Sequence, residues 1–111
     1  MPNASPEQLD AITSAIVRCC NPAKIILFGS QARGTAGRDS DIDLLIVDER
    51  PFSPSRSRRQ AIGMIRRSLP RIGVPIDILL FDKLEVDGWK ATTNHVIADA
   101  IREGKVLHDR S

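Results

Sequence analysis

Asp41 and Asp43 stand two residues apart at the head of the apolar run Leu44-Leu45-Ile46-Val47, ten residues after the turn Gly29-Ser30. Side chains alternate along a strand, so the two acids would project on one side, about 7 Å apart. Carboxylates at that spacing can share divalent cations, and a Gly-Ser turn opening a helix can hold phosphate oxygens. A third acid, Asp77, lies inside Val74-Pro75-Ile76-Asp77-Ile78-Leu79-Leu80-Phe81. A buried carboxylate without a partner is costly or takes up a proton, and a divalent cation relieves that cost. If the two strands are neighbours, Asp41, Asp43 and Asp77 converge on one rim of the sheet and form the oxygen-rich set that Mg²⁺ prefers. One ion could hold a triphosphate while a second lowers the pKa of an attacking hydroxyl. Any one of these acids alone would be read as a cap or an edge residue at a strand end. Three of them, with the Gly-Ser turn, point to chemistry on a nucleoside triphosphate.

Other phosphate and metal sites fail on the same residues. Gly29-Ser30 is not followed by the Gly-Lys-Ser/Thr of a P-loop, and the turn lacks the three glycines of a dinucleotide site. Asp39, Asp41 and Asp43 mimic the first ligands of a calcium loop. The sixth position is Leu44 where a glycine is needed, and the twelfth is Arg50 where a bidentate Glu is needed.

The elements that must position these residues follow from periodicity. Ser5-Pro6-Glu7-Gln8 reads as a capping box with Pro at the first helical position, and Leu9, Ile12, Ile16 and Cys20 form one apolar stripe up to Asn21-Pro22. Lys24 to Phe28 is a short buried strand that Gly29 breaks. Ser30 to Arg33 can open a short helix, and residues 35–40 form a loop. Asp41 to Val47 is the second strand, with Ile42, Leu44 and Ile46 on the face opposite the acids. Pro51 to Pro54 is a turn. Ser55 or Ser57 opens a helix with the stripe Ile62, Ile65 and Leu69, ending at Pro70. Val74 to Phe81 is the third strand, and Asp82 to Trp89 reads as irregular. A last helix runs from about Thr93 to Glu103, with Val96, Ile97, Ala100 and Ile101 facing inward and Gly104 at C′. Lys105 to His108 forms a short edge strand or an extended tail. The order describes one α/β (α+β) domain over residues 1–111, a small mixed β-sheet flanked by helices.

Composition narrows the class further. At 111 residues the chain has the length of one domain, and its apolar content of 41 % is ordinary for a globular protein. The net charge of +2 argues against a general nucleic-acid coat. No run is long and apolar enough to span a bilayer, and no basic-then-apolar leader opens the chain. Adjacent Cys19 and Cys20 suit neither a disulfide nor a zinc set, and read as buried reduced thiols of a cytoplasmic protein.

Gly29-Ser30, ten intervening residues and Asp41-Ile42-Asp43 resemble the signature of the polymerase-β-type nucleotidyltransferase superfamily, and Asp77 resembles its third carboxylate. The string Gly-Ser-Gln-Ala-Arg-Gly-Thr-Ala, the short length and the ending Glu103-Gly104-Lys105-Val106-Leu107 are similar to its minimal nucleotidyltransferase (MNT) group. The resemblance implies a polymerase-β-like fold and two Mg²⁺ ions held by Asp41 and Asp43, with Asp77 binding one and helping to deprotonate the acceptor. It implies that Gly29 and Ser30 grip the triphosphate of ATP or another NTP, with Arg33 as a phosphate contact and Ser40 orienting the loop. Arg33 is equally well read as a structural ion pair.

Members of the minimal group typically pair with a helical HEPN-domain protein as toxin–antitoxin modules. The resemblance therefore implies transfer of AMP from ATP to a tyrosine of a HEPN toxin. This chain has no Tyr, so such an acceptor would be on the partner. Two alternatives remain: an antitoxin that neutralises its partner by occlusion, and a subunit of a small-molecule nucleotidyltransferase. The lack of room for a base- or acceptor-binding segment favours a homo- or hetero-oligomer.

Arg56, Arg58, Arg59, Arg66 and Arg67, with Arg71 just beyond, make the middle helix basic away from its apolar stripe. A solvated face is the common explanation, and an acidic partner or RNA the alternative. Trp89 reads as a partner anchor or a lid over the core. His95 and His108 read as helix-start and tail residues, not catalysts.

Overall fold

The computed structural model describes residues 4–29, 32, 41–89 and 96–110. The elements run α1 (Pro6–Cys20), β1 (Lys24–Phe28), β2 (Ile42–Asp48), α2 (Arg58–Ser68), β3 (Ile76–Asp82), α3 (Lys83–Trp89), α4 (Val96–Glu103) and β4 (Lys105–Asp109). The expected short helix at Ser30 to Arg33 lies outside the described residues except for Ala32. So does the expected start of the last helix at Thr93.

Local chemistry sets the helix ends. The Ser5 hydroxyl accepts from the Gln8 N–H while Gln8 Oε1 accepts from the Ser5 N–H, the reciprocal pair that satisfies two orphan donors. Asn21 ends α1 in the left-handed region, at φ 45°. Ser57, not Ser55, caps α2 by accepting from the Gln60 N–H. The expected irregular stretch from Asp82 to Trp89 is a helix, α3. Asp82 accepts from the Glu85 N–H and Glu85 Oε1 accepts from the Asp82 N–H, each at 2.9 Å, so α3 begins with a second reciprocal cap.

The sheet is mixed, in the order β3-β2-β1-β4. β1 is antiparallel to β2 and β4, whereas β2 and β3 are parallel and joined through α2. A parallel pair needs such a crossover because a tight turn cannot connect it. The expected edge strand at the end of the chain is β4, and it carries a register shift opposite Ile25 and Ile26.

Helices cover both faces. Ile12 and Ile16 of α1 and Ile65 of α2 pack with Ile25, Leu27, Ile42, Leu44, Ile46, Ile78 and Leu80. On the other face, Val86 of α3 and Ile97 and Ala100 of α4 pack with Ile26, Leu45 and Val47. β2 is thus buried on both sides, as its unbroken apolar run requires. Cys19 and Cys20 are free and half-buried on α1, not fully buried as expected. Burial pushes the Cys20 thiol up to about 11, with its neighbour Cys19 adding to the effect. Among the described residues, no helix is long and apolar enough to cross a membrane.

Candidate active site

The parallel register places Asp43 beside Asp77 and Ile42 beside Ile76, and the Ile42 N–H donates to the Pro75 carbonyl at 2.9 Å. The antiparallel register of β1 places Phe28 opposite Asp43, so Gly29 follows at the same rim. Strand alternation puts Asp43 on the face of Leu45 and Val47, and Asp77 on the face of Leu79 and Phe81. The expected convergence of the two acidic strands therefore occurs, at the end of the sheet where β2 and β3 begin and β1 ends.

Asp41 and Asp43 are half-exposed and Asp77 is exposed, so none carries the full cost of burial. A side-chain hydrogen bond with Asp77 pushes the Asp41 carboxyl above its usual range, with some desolvation and the Asp77 charge acting the same way. Two carboxyls in hydrogen-bonding reach cannot comfortably both ionise unless a cation joins them. Among the described residues, no three His, Cys, Asp or Glu side chains are gathered into a metal-binding group.

Gly29 fits the rim through its shape. Its φ is +73°, and a Cβ there would overlap Oδ2 of Asp43, well inside the 3.0 Å that real Cβ atoms keep. Ser30, Arg33 and Ser40, expected around the phosphates, lie outside the described residues, as does His95. His108 lies in β4 with its Nε2 buried and without a hydrogen-bond partner among the described residues.

The opposite ends of the same two strands carry a second acid pair, Asp48 beside Asp82, which was not singled out from sequence. Among the described residues these are the buried charged ones, at 6 % and 4 % exposure. Protein donors satisfy both. Asp48 accepts from Arg56 at 2.6 Å and from the Arg50 N–H at 3.0 Å, while Asp82 accepts from the N–H groups of Phe52 and Glu85. Burial works to raise the Asp82 carboxyl. Those backbone hydrogen bonds, with the Arg58 charge, prevail and hold it below the usual range. Asp48 and Asp82 are structural, whereas the partner identified for Asp41 is another acid. A cleft of about 350 Å³ also opens at this far end, among Ala23, Val47, Val86 and Ile101. It holds none of the acids at the other rim.

The rim thus gathers carboxylates that can receive cations and a proton, beside a glycine that only a missing side chain lets lie so close to Asp43. Residues 10–107 match the family model for the nucleotidyltransferase domain. A Methanocaldococcus jannaschii chain named "Putative protein adenylyltransferase" is 36 % identical over 90 residues, covering 77 % of each chain. Two solved structures share the fold at lower identity. A nucleotidyltransferase crystal structure from Sulfolobus solfataricus gives a TM-score of 0.59 at 20 % identity, covering 92 % of this chain and 77 % of that one. A structure described as a toxin–antitoxin with AMP-PNP gives 0.53 at 22 %, covering 91 % and 73 %. The mixed sheet, the facing acids and the family match over nearly all of the chain lead to one conclusion: it belongs to the nucleotidyltransferase-domain family.

Proposed function

We propose that this protein transfers AMP from ATP to a hydroxyl of a partner protein, with Mg²⁺ as cofactor. The observation that carries the reading is Asp43 beside Asp77, with the Asp41 carboxyl hydrogen-bonded to Asp77. That donor set fits divalent cations: Asp41 and Asp43 would bind both, and Asp77 one. When bound, Mg²⁺ would neutralise triphosphate charge and favour the ionised acceptor. Asp77, on the β3 side, would receive the acceptor proton. The acceptor oxygen then forms a bond to the α-phosphorus as the bond to the β-phosphate oxygen breaks, releasing pyrophosphate. Gly29 lets the Asp43 carboxylate approach the β1 end closely, and the Gly29 backbone with Ser30, Arg33 and Ser40 would supply the phosphate contacts.

The relative's name supports protein adenylylation, and the toxin–antitoxin structure with AMP-PNP supports a protein partner and an adenine nucleotide. Combined with the motif resemblance, these favour a HEPN-domain toxin as acceptor. The test is the intact mass of a HEPN protein encoded beside this chain, after incubation with the chain, ATP and Mg²⁺. Gain of one AMP, absent with Asp43→Asn, is expected. No gain with the unaltered chain would refute the transfer. Neutralisation of the toxin by Asp43→Asn would favour occlusion instead.

A further inference from the structure

Charge is segregated along this chain. Between Arg50 and Ile76 there are seven arginines and no acidic residue, whereas the remainder has nine cations against fourteen acids. Five of the seven fall into two groups in the structure. Arg56 pairs with Asp48, and Arg58 pairs with Glu85 while stacking on Phe52 and Phe81, so these two serve the fold. Arg59, Arg67 and Arg71 are exposed and make no ion pair among the described residues.

Arg59, Gly63 and Arg67 form one row along the outer face of α2, at i, i+4 and i+8. With Gln60 and Met64 they line a shallow depression of about 430 Å³. Gly63 forms its floor, and the Arg67 guanidinium lies close over that glycine. Met64 is 52 % exposed beside the row, although Ile65, next in sequence, is fully buried. Two cations about 12 Å apart along the axis therefore flank a notch with an apolar edge.

We propose that this face of α2 docks an acidic amphipathic helix of a partner protein. Carboxylates two turns apart would meet Arg59 and Arg67, and an apolar residue between them would cover Met64. Charge complementarity selects the acidic partner, and the exposed methionine with the glycine notch selects a protein over RNA. Among the described residues, no aromatic side chain lines this depression to stack a base. α2 packs on the sheet face opposite Asp43, and its Arg66 donates to the Ile76 carbonyl at 3.2 Å, one residue before Asp77. A partner held there leaves the acidic rim open and lies near the β3 edge. The docking surface is independent of the transfer chemistry.

The test uses fluorescence anisotropy with the whole chain and two labelled probes: a helical peptide bearing Glu at i and i+8 with Leu at i+4, and a single-stranded RNA. Saturable, salt-sensitive binding of the peptide is expected, weakened roughly tenfold or more by Arg59→Glu/Arg67→Glu and unchanged by Asp43→Asn. Circular dichroism would establish that the exposed double variant keeps its fold. Absence of peptide binding, or binding indifferent to the double variant, would overturn the proposal. Binding of RNA alone, lost in the double variant, would overturn it in favour of a nucleic-acid surface.

Discussion

The Asp43 carboxylate rests against the Cα of Gly29, so closely that any side chain at position 29 would collide with it. The backbone of Gly29 is also in the left-handed region, at φ +73°. Both constraints act on one residue, and both bear on the same acid. Gly29→Ala is expected to cost about 1–3 kcal/mol, from left-handed strain and the forced movement of Asp43. Urea unfolding measures that loss. Because Asp43 must shift, nucleotide transfer should fall further than the loss of folded protein explains. An alanine variant with unaltered transfer would show that the position of Asp43 is not critical.

Asp82 makes acid stability testable. Its carboxyl is held below the ordinary value of 3.8, so it stabilises the fold above that value. The contribution is lost as pH falls below about 4 and through the depressed value, because the unfolded chain takes up the proton first. Asp82→Asn should flatten that part of the stability curve while leaving a cap acceptor in place. Asp82→Ala also removes the cap of α3 and should cost about 0.5–2 kcal/mol at neutral pH. Urea midpoints measured from neutral pH down to about pH 3 separate the two effects.

Gly104 is required by close approach and not by an unusual backbone angle. A Cβ there would overlap the Ala100 carbonyl and the Ile26 side chain, and would lie 2.9 Å from the Leu27 carbonyl. The residue sits where α4 ends against β1, with its N–H donating to the Ala100 carbonyl at 2.8 Å. Gly104→Ala is expected to destabilise by about 1–3 kcal/mol through overpacking. Thermal unfolding should show this loss, whereas Gly88→Ala, with open space around its Cα, should show none from crowding.

Much of this architecture is legible in local patterns. Ser5 and Gln8 announce α1, the β-branched run marks β1, and Ser57 with Ile65 marks α2. The same capping pattern, Asp82-Lys83-Leu84-Glu85, announces α3. It is hard to read because the helix has seven residues, follows directly on a strand and buries only Val86. β3 begins at Ile76, later than its apolar run, just after Pro75, which has a carbonyl to receive the Ile42 N–H but no N–H to give to a ladder. The three acids are visible as residues, but the register that sets Asp43 beside Asp77 depends on how α2 returns the chain. The same register sets Asp48 beside Asp82, so equal-looking acids at opposite ends of two strands acquire different surroundings. Arg56 and Arg58 likewise belong to a basic run in sequence, and only the approach of Asp48, Glu85 and Phe52 makes them structural.

A cation should reveal the acidic rim without any acceptor. Asp41 and Asp77 share a hydrogen bond that raises the Asp41 carboxyl, and binding of Mg²⁺ by the ionised pair would replace that contact. Ligand binding to the folded state raises its stability by RT ln(1 + [L]/Kd), about 2.7 kcal/mol at a hundredfold excess over Kd. Mg²⁺ should therefore raise the melting temperature of the protein at neutral pH, and chelation should reverse the rise. Asp43→Asn should reduce the shift, whereas Asp82→Asn, at the far end of the strands, should preserve it. An equal shift in both variants would place cation binding elsewhere on the surface.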